Sequence, residues 1–235
     1  MSRRRRIAPA GFVYHVMNRA AGRQVLFEKP SDYNAFEDIL SLGQRHTPMR
    51  IIAYCLMRTH WHLLLWPERD GTITTFMHWV TTVHARRWVL AHDAVGRGAV
   101  YQSRFKAIAV QPGQHLFTVW RYIERNPIRA NLVRRAELWP WSSLSGRQQI
   151  ILSIPPTPVP DNWIERVNLP QTNAELNAVR RCLDTGAPYG DLHWRASTDA
   201  VVGWRRHGRP KKDHISASDL SEKGVRPLFQ FPSPF

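Results

Sequence analysis

Arg50-Ile51-Ile52-Ala53-Tyr54-Cys55-Leu56-Met57 and His60-Trp61-His62-Leu63-Leu64-Leu65-Trp66 are two β-rich apolar runs with only Arg58 and Thr59 between them. So short a link brings them together as an antiparallel hairpin, and Pro67 closes the second run. The segments around the hairpin then have few places to go. Phe12 to Asn18 alternates and is β-rich, so it is a strand, and Lys106 to Val110 is a fourth. Ser31 can cap a helix running to about Gln44, with Tyr33, Phe36, Ile39 and Leu40 as its apolar stripe. A longer helix begins at Thr72 or Thr74 and runs through Ala91, where Phe76, Trp79, Val80, Val83, Trp88 and Leu90 mark its buried side. After Gly113 comes a helix from Gln114 to about Arg125. The order βαββαβ plus one helix predicts an α+β, ferredoxin-like fold: four antiparallel strands over two helices, with one sheet face left for ligands.

Composition changes beyond Gly146. Ile154-Pro155-Pro156-Thr157-Pro158-Val159-Pro160 reads as an extended linker, Asn173 to Leu183 as a short helix, and Arg205-Arg206-His207-Gly208-Arg209-Pro210-Lys211-Lys212 as a basic run. The expected division is a catalytic-type domain over residues 1–150 and, over 151–235, a linker, a helix and a basic, partly disordered extension.

Lys and Arg number 33 against 18 Asp and Glu, a net charge of +15. Such an excess points to a polyanionic partner, and in the cytoplasm the usual one is nucleic acid. No apolar window is long enough to span a bilayer. Arg3 to Arg6 is not followed by an apolar stretch, and Cys55 and Cys182 form no metal-binding pattern, so the expected location is cytoplasmic, in association with the nucleoid.

In a strand, residues i and i+2 project to one face, so His60 and His62 point the same way with Trp61 opposed to them. Two neutral imidazoles one pleat apart can share a metal ion, although alone the pattern equally fits two ordinary histidines. Tyr122 and Asn126 lie four apart on the last helix and share a face. Asn126 could add an oxygen ligand while Tyr122 presents its phenol beside the metal, or Tyr122 could be a core aromatic. Cleaving a phosphodiester without water needs a nucleophile and a neutralised phosphate. A free phenol is a weak nucleophile at neutral pH, and a divalent ion on a phosphate oxygen would activate and orient the target.

His60-Trp61-His62 has the histidine–hydrophobic–histidine form of the HUH motif. The segment Tyr122-Ile123-Glu124-Arg125-Asn126-Pro127-Ile128-Arg129-Ala130-Asn131-Leu132-Val133 closely resembles the tyrosine helix of the REP-associated tyrosine transposases. Gly98 to Ala107 is similar to their Arg-Phe-Lys segment, Tyr14 to Arg19 to their opening strand, and Trp139-Pro140-Trp141-Ser142-Ser143 to the signature after the tyrosine helix. These five segments fall in order across residues 12–145. The resemblance implies a single-tyrosine HUH transposase in which Tyr122 is the nucleophile and His60, His62 and Asn126 hold Mg²⁺ or Mn²⁺. It implies action on palindromic repeats that fold as DNA hairpins with single-stranded flanks, through a 5′-phosphotyrosine intermediate, by a monomer, with a dimer as the other possibility. One departure is Arg58-Thr59, where the family has Pro-Asn before the first histidine.

Arg121, Arg125, Arg129, Arg134 and Arg135 around the tyrosine helix, with Arg104 and Lys106 at the fourth strand, are the expected DNA contacts of the core. Arg205, Arg206, Arg209, Lys211 and Lys212 are those of the tail, where Gly208-Arg209-Pro210 is similar to a minor-groove hook. The alternative from another class is a non-catalytic binder of hairpin or single-stranded nucleic acid.

Overall fold

In the computed structural model, residues 8–147 and 150–203 are described. The expected hairpin forms: β2 (Arg50–Met57) pairs antiparallel with β3 (His60–Trp66). Strand β1 (Val13–Arg19) lies antiparallel against the other side of β3, and β4 (Lys106–Val110) against β1. The sheet order is β2-β3-β1-β4. Helix α1 (Pro30–His46) joins β1 to β2, and α2 (Thr72–Ala91) joins β3 to β4. This is the α+β architecture read from the sequence.

Alternation decides what each face receives. Trp61, Leu63 and Leu65 turn to the side of α1, where Phe36 meets the Trp61 ring at 5.7 Å and Glu37 accepts a 2.8 Å hydrogen bond from the Tyr54 hydroxyl. His60, His62 and Leu64 turn the other way. Both faces are covered, which is why β2 and β3 are apolar throughout and not alternating. Each large aliphatic or aromatic side chain buried here contributes roughly 1.5–3 kcal/mol. The two helices approach closely at Gly43, where a Cβ would meet a Phe76 ring carbon at 3.0 Å and a Val80 methyl at 3.1 Å. On α2, Phe76 and Val80 are buried as expected, but Leu90 is exposed, because the inward stripe runs Ile73, Phe76, Met77, Val80, His84 and leaves Leu90 past its turn. Ser31 does not cap α1. Pro30 fits the first helical position, and Asp32 accepts from the N–H groups of Glu28 and Lys29 at 2.9 and 3.1 Å.

The second face, expected to be left open for ligands, is partly closed by α3 (Gln114–Glu124), which begins at Gly113 with φ of +79° and packs on β2 and β3. The short α4 (Asn126–Arg129) continues it after a break at Arg125, ahead of Pro127. The described residues beyond 150 carry three helices: α5 (Trp163–Asn168), α6 (Asn173–Thr185) and α7 (Leu192–Val201). Only α6 was expected. Its start is written in sequence as a capping box, Thr172 with Glu175, whereas six-residue α5 offers no period to read. Trp163, Val167, Val179, Cys182 and Leu183 join the core, and Trp163 lies 4.7 Å from the Trp120 ring.

Both sheet edges are paired. Trp141, Ser143 and Ser153 hydrogen-bond along β2, and Tyr189 exchanges backbone hydrogen bonds with Ala109 and Gln111 beside β4. Cys55 and Cys182 are buried free thiols. No described helix is long and apolar enough to cross a membrane.

Candidate active site

The β1–β3 register puts Met17 opposite His62 and Arg19 opposite His60, with Lys106 beyond Met17 on the same face. Tyr122 of α3 comes down onto this row. Its ring stands perpendicular to that of His62 at 5.8 Å, and the rings of His60 and His62 are themselves perpendicular at 5.1 Å. All three line one cleft of about 320 Å³, walled further by Asn18, Arg19, Gln102, Ser103, Lys106 and, from α6, Arg180, Leu183 and Asp184. Among the described residues the Tyr122 hydroxyl has no hydrogen-bond partner.

The histidines are neutral at physiological pH. Burial, reinforced by Arg19 and Arg129, pushes His60 down to about 4. Burial and the neighbouring His15 and His60 hold His62 well below the ordinary imidazole value. Each ring uses Nδ1 for protein: His60 toward the Thr59 hydroxyl at 3.2 Å, His62 toward Nε2 of His15 at 2.9 Å. Neither Nε2 has a partner among the described residues, so both keep a nitrogen for an ion. No group of three or more His, Cys, Asp or Glu among those residues is disposed to hold a metal. The donor set is therefore two imidazoles, which fits a divalent ion that draws its other ligands from phosphate and water.

His15 was not among the expected site residues. It is fully buried on β1, pushed down to about 3 mainly by burial, and its ring lies 5.0 Å from His62 and 5.9 Å from Tyr122. The signal in the sequence was a histidine inside a β-strand, between Val13 and the apolar pair Val16 and Met17.

Asn126 stands apart from the cleft lining. Its Nδ2 donates to the carbonyls of Tyr122 and Ile123, each at 3.1 Å, and its Oδ1 accepts from Arg129 Nη2 at 2.7 Å. The amide turns back to finish the helix and does not line the cleft. Arg129 lies with its guanidinium 4.2 Å from the centre of the Tyr122 ring and donates to the Tyr122 carbonyl at 2.8 Å. It holds the ring in place.

The arginines expected to meet DNA divide sharply. Arg125 donates to the Val167 carbonyl at 3.1 Å and to that of Asn168. Arg121 donates to the Leu169 carbonyl at 2.9 Å and pairs with Glu175 at 3.8 Å. Both clamp the C-terminal segment to α3. Lys106 reaches the cleft but is paired with Asp184 at 3.1 Å. Arg104 faces a neighbouring cleft along α2, of about 780 Å³. Arg134 is exposed and Arg135 pairs with Glu137. Arg205, Arg206, Arg209, Lys211 and Lys212 lie outside the described residues.

Among the tyrosines, Tyr122 alone lines this cleft. Tyr14 donates to the Pro9 carbonyl at 2.9 Å and Tyr54 to Glu37, while the Tyr101 hydroxyl is engaged by Trp61 and His84 at 3.1 and 2.6 Å.

A family model described as "Transposase IS200 like" matches residues 10–126, the stretch from β1 through the histidine pair to the end of the tyrosine helix. Among solved structures, that of a REP-associated tyrosine transposase bound to a REP hairpin is 20% identical, with a TM-score of 0.51, covering 62% of this chain and 84% of that one. A putative transposase from Deinococcus radiodurans R1 is also 20% identical, with a TM-score of 0.38, over 53% of this chain and 96% of that one. The comparison with curated proteins returned no match.

Proposed function

The chain belongs to the IS200-like transposase family, enzymes that cut and join DNA, and from that premise we propose that it is a metal-dependent endonuclease and strand transferase for single-stranded DNA beside hairpins. The observation that carries the reading is the convergence in one cleft of the Tyr122 hydroxyl with two neutral imidazoles, where neither the hydroxyl nor either Nε2 has a hydrogen-bond partner among the described residues. The similar structure bound to a REP hairpin supports the choice of substrate form.

In the proposed reaction the Tyr122 oxygen attacks phosphorus, forming a tyrosyl O–P bond as the bond to the 3′ oxygen breaks. The phenolic proton passes to solvent and the leaving oxygen takes one up, ending as a free 3′ hydroxyl. The 5′ phosphate stays on Tyr122, keeping the bond energy for rejoining, so no nucleotide cofactor is required. Mg²⁺ or Mn²⁺ held by His60 and His62 would supply Lewis-acid polarisation of the phosphate. Arg129 and Asn126 act on orientation: they fix the helix end and the face of the ring, so that the phenol keeps its aim. A non-catalytic hairpin binder would share the fold and charge but gives no reason for the phenol and the imidazoles to meet.

The substrate form and the metal are tested together. Strand cleavage with Mg²⁺ or Mn²⁺ should occur on a hairpin with a single-stranded flank and fail on the same sequence fully paired. His60→Ala and His62→Ala should each lower it by about a hundredfold or more. Equal rates on duplex, or wild-type rates in both variants, would overturn the reading.

A further inference from the structure

Helix α6 lies outside the residues matched by the family model, yet it reaches the cleft. Arg180, Leu183 and Asp184, spaced i, i+3, i+4, present one helix face to it. The helix is fixed there by its capping box and by the buried side chains of Val179, Cys182 and Leu183. Its position is a property of the fold.

Of the cations near the cleft, most are already answered. Arg121 and Arg125 are bound to the C-terminal segment, Arg129 is folded over the Tyr122 ring, and Lys106 is paired with Asp184. Two are not. The guanidinium groups of Arg180 and of Arg19, at the end of β1, line the cleft from two different elements and have no hydrogen-bond or ion-pair partner among the described residues. Both side chains are exposed, so a phosphate can be met by either without breaking a contact inside the protein.

We propose that Arg180 binds a backbone phosphate of the DNA strand next to the one attacked, with Arg19 taking a second phosphate across the cleft. The appended helix thereby forms part of the substrate site, and Asp184 confines the contact to Arg180 by keeping Lys106 paired. This rests on the single-stranded-DNA reading above.

Binding, without cleavage, tests it. Fluorescein-labelled oligothymidylate would be titrated with full-length protein in EDTA across a range of salt concentrations, followed by anisotropy. Arg180→Ala should weaken binding about tenfold at low salt and reduce the slope of log K against log salt by about 0.7, the share of one phosphate on a single strand. Arg180→Lys should keep the slope. Arg181→Ala removes the same charge from the next position of α6, which does not line the cleft, and should change the slope far less. If Arg180→Ala leaves the slope unchanged, or matches Arg181→Ala, the assigned site is wrong while single-stranded binding stands. If the wild type does not bind the oligonucleotide, the substrate reading itself falls and the inference with it.

Discussion

His15 and His62 share one proton between two buried rings, and which ring carries it decides whether His62 can hold an ion. For His62 to offer a lone pair at Nε2, its proton must sit on Nδ1 and be donated to Nε2 of His15 across 2.9 Å. His15 must then carry its own proton on Nδ1, a buried nitrogen with no partner among the described residues. Leaving a buried donor unpaired costs about 1–3 kcal/mol, which the proposed ion binding at His62 would offset. His15 is thus a positioning residue, acting through His62. Replacing it with Phe keeps the ring volume and removes the acceptor, so Mn²⁺ affinity should fall about ten- to a hundredfold, measured by calorimetric titration. Unchanged affinity would show that His62 holds its tautomer without help. That partnership was beyond the sequence: the i, i+2 spacing reads within β3, while the His15 contact depends on the β1–β3 register. Asn126 shows the same limit. Its spacing from Tyr122 gave the shared face, but not that Arg129 would draw the amide away.

Helix α3 is where the fold meets the chemistry, and Glu124 pins its inner side. One carboxylate oxygen accepts from the Ser143 hydroxyl at 2.6 Å and the other from Trp163 Nε1 at 2.9 Å. The tyrosine helix is thereby tied both to the strand-like segment beside β2 and to α5. Burial outweighs these hydrogen bonds and pushes the carboxyl up to about 7. Between the ordinary carboxyl value of 4.5 and about 7, the unfolded chain releases this proton while the folded chain keeps it. Stability therefore falls as pH rises through that window, by about 3 kcal/mol at most from this group, and the loss is complete above it. Glu124→Gln should flatten this part of the profile in urea denaturation measured at both ends of the window. A variant whose stability still falls as steeply as the wild type's would place the cause elsewhere. The strands and the long helices were legible because period and punctuation are local. Glu124 was not, since Ser143 and Trp163 lie 19 and 39 positions away in sequence. The same long-range packing ties Arg121 and Arg125 to the C-terminal segment.

At the scale of the whole molecule, the net charge of +15 gives attraction for a polyanion but not the place where it is cut. The proposed place is set by the sheet, which turns His60 and His62 to the face that α3 covers, and by α6, which narrows the cleft from the far side. With both edges of the sheet paired within the chain, β2 and β4 are not left to recruit a strand from elsewhere. In the proposed reaction the nucleophile of this cleft is Tyr122, the one tyrosine among its lining residues. Its hydroxyl can be removed alone: Tyr122→Phe keeps the ring beneath Arg129 and the packing against His62. The most direct measurement is therefore recovery of the covalent protein–DNA adduct, followed by peptide mapping, for wild type and Tyr122→Phe under the same metal. The account predicts a 5′-phosphate adduct on the peptide containing Tyr122, a free 3′ hydroxyl on the released strand, and, for the variant, unaltered DNA binding with neither adduct nor cleavage. An adduct that persists in Tyr122→Phe, or cleavage by the wild type with no adduct at all, would contradict it.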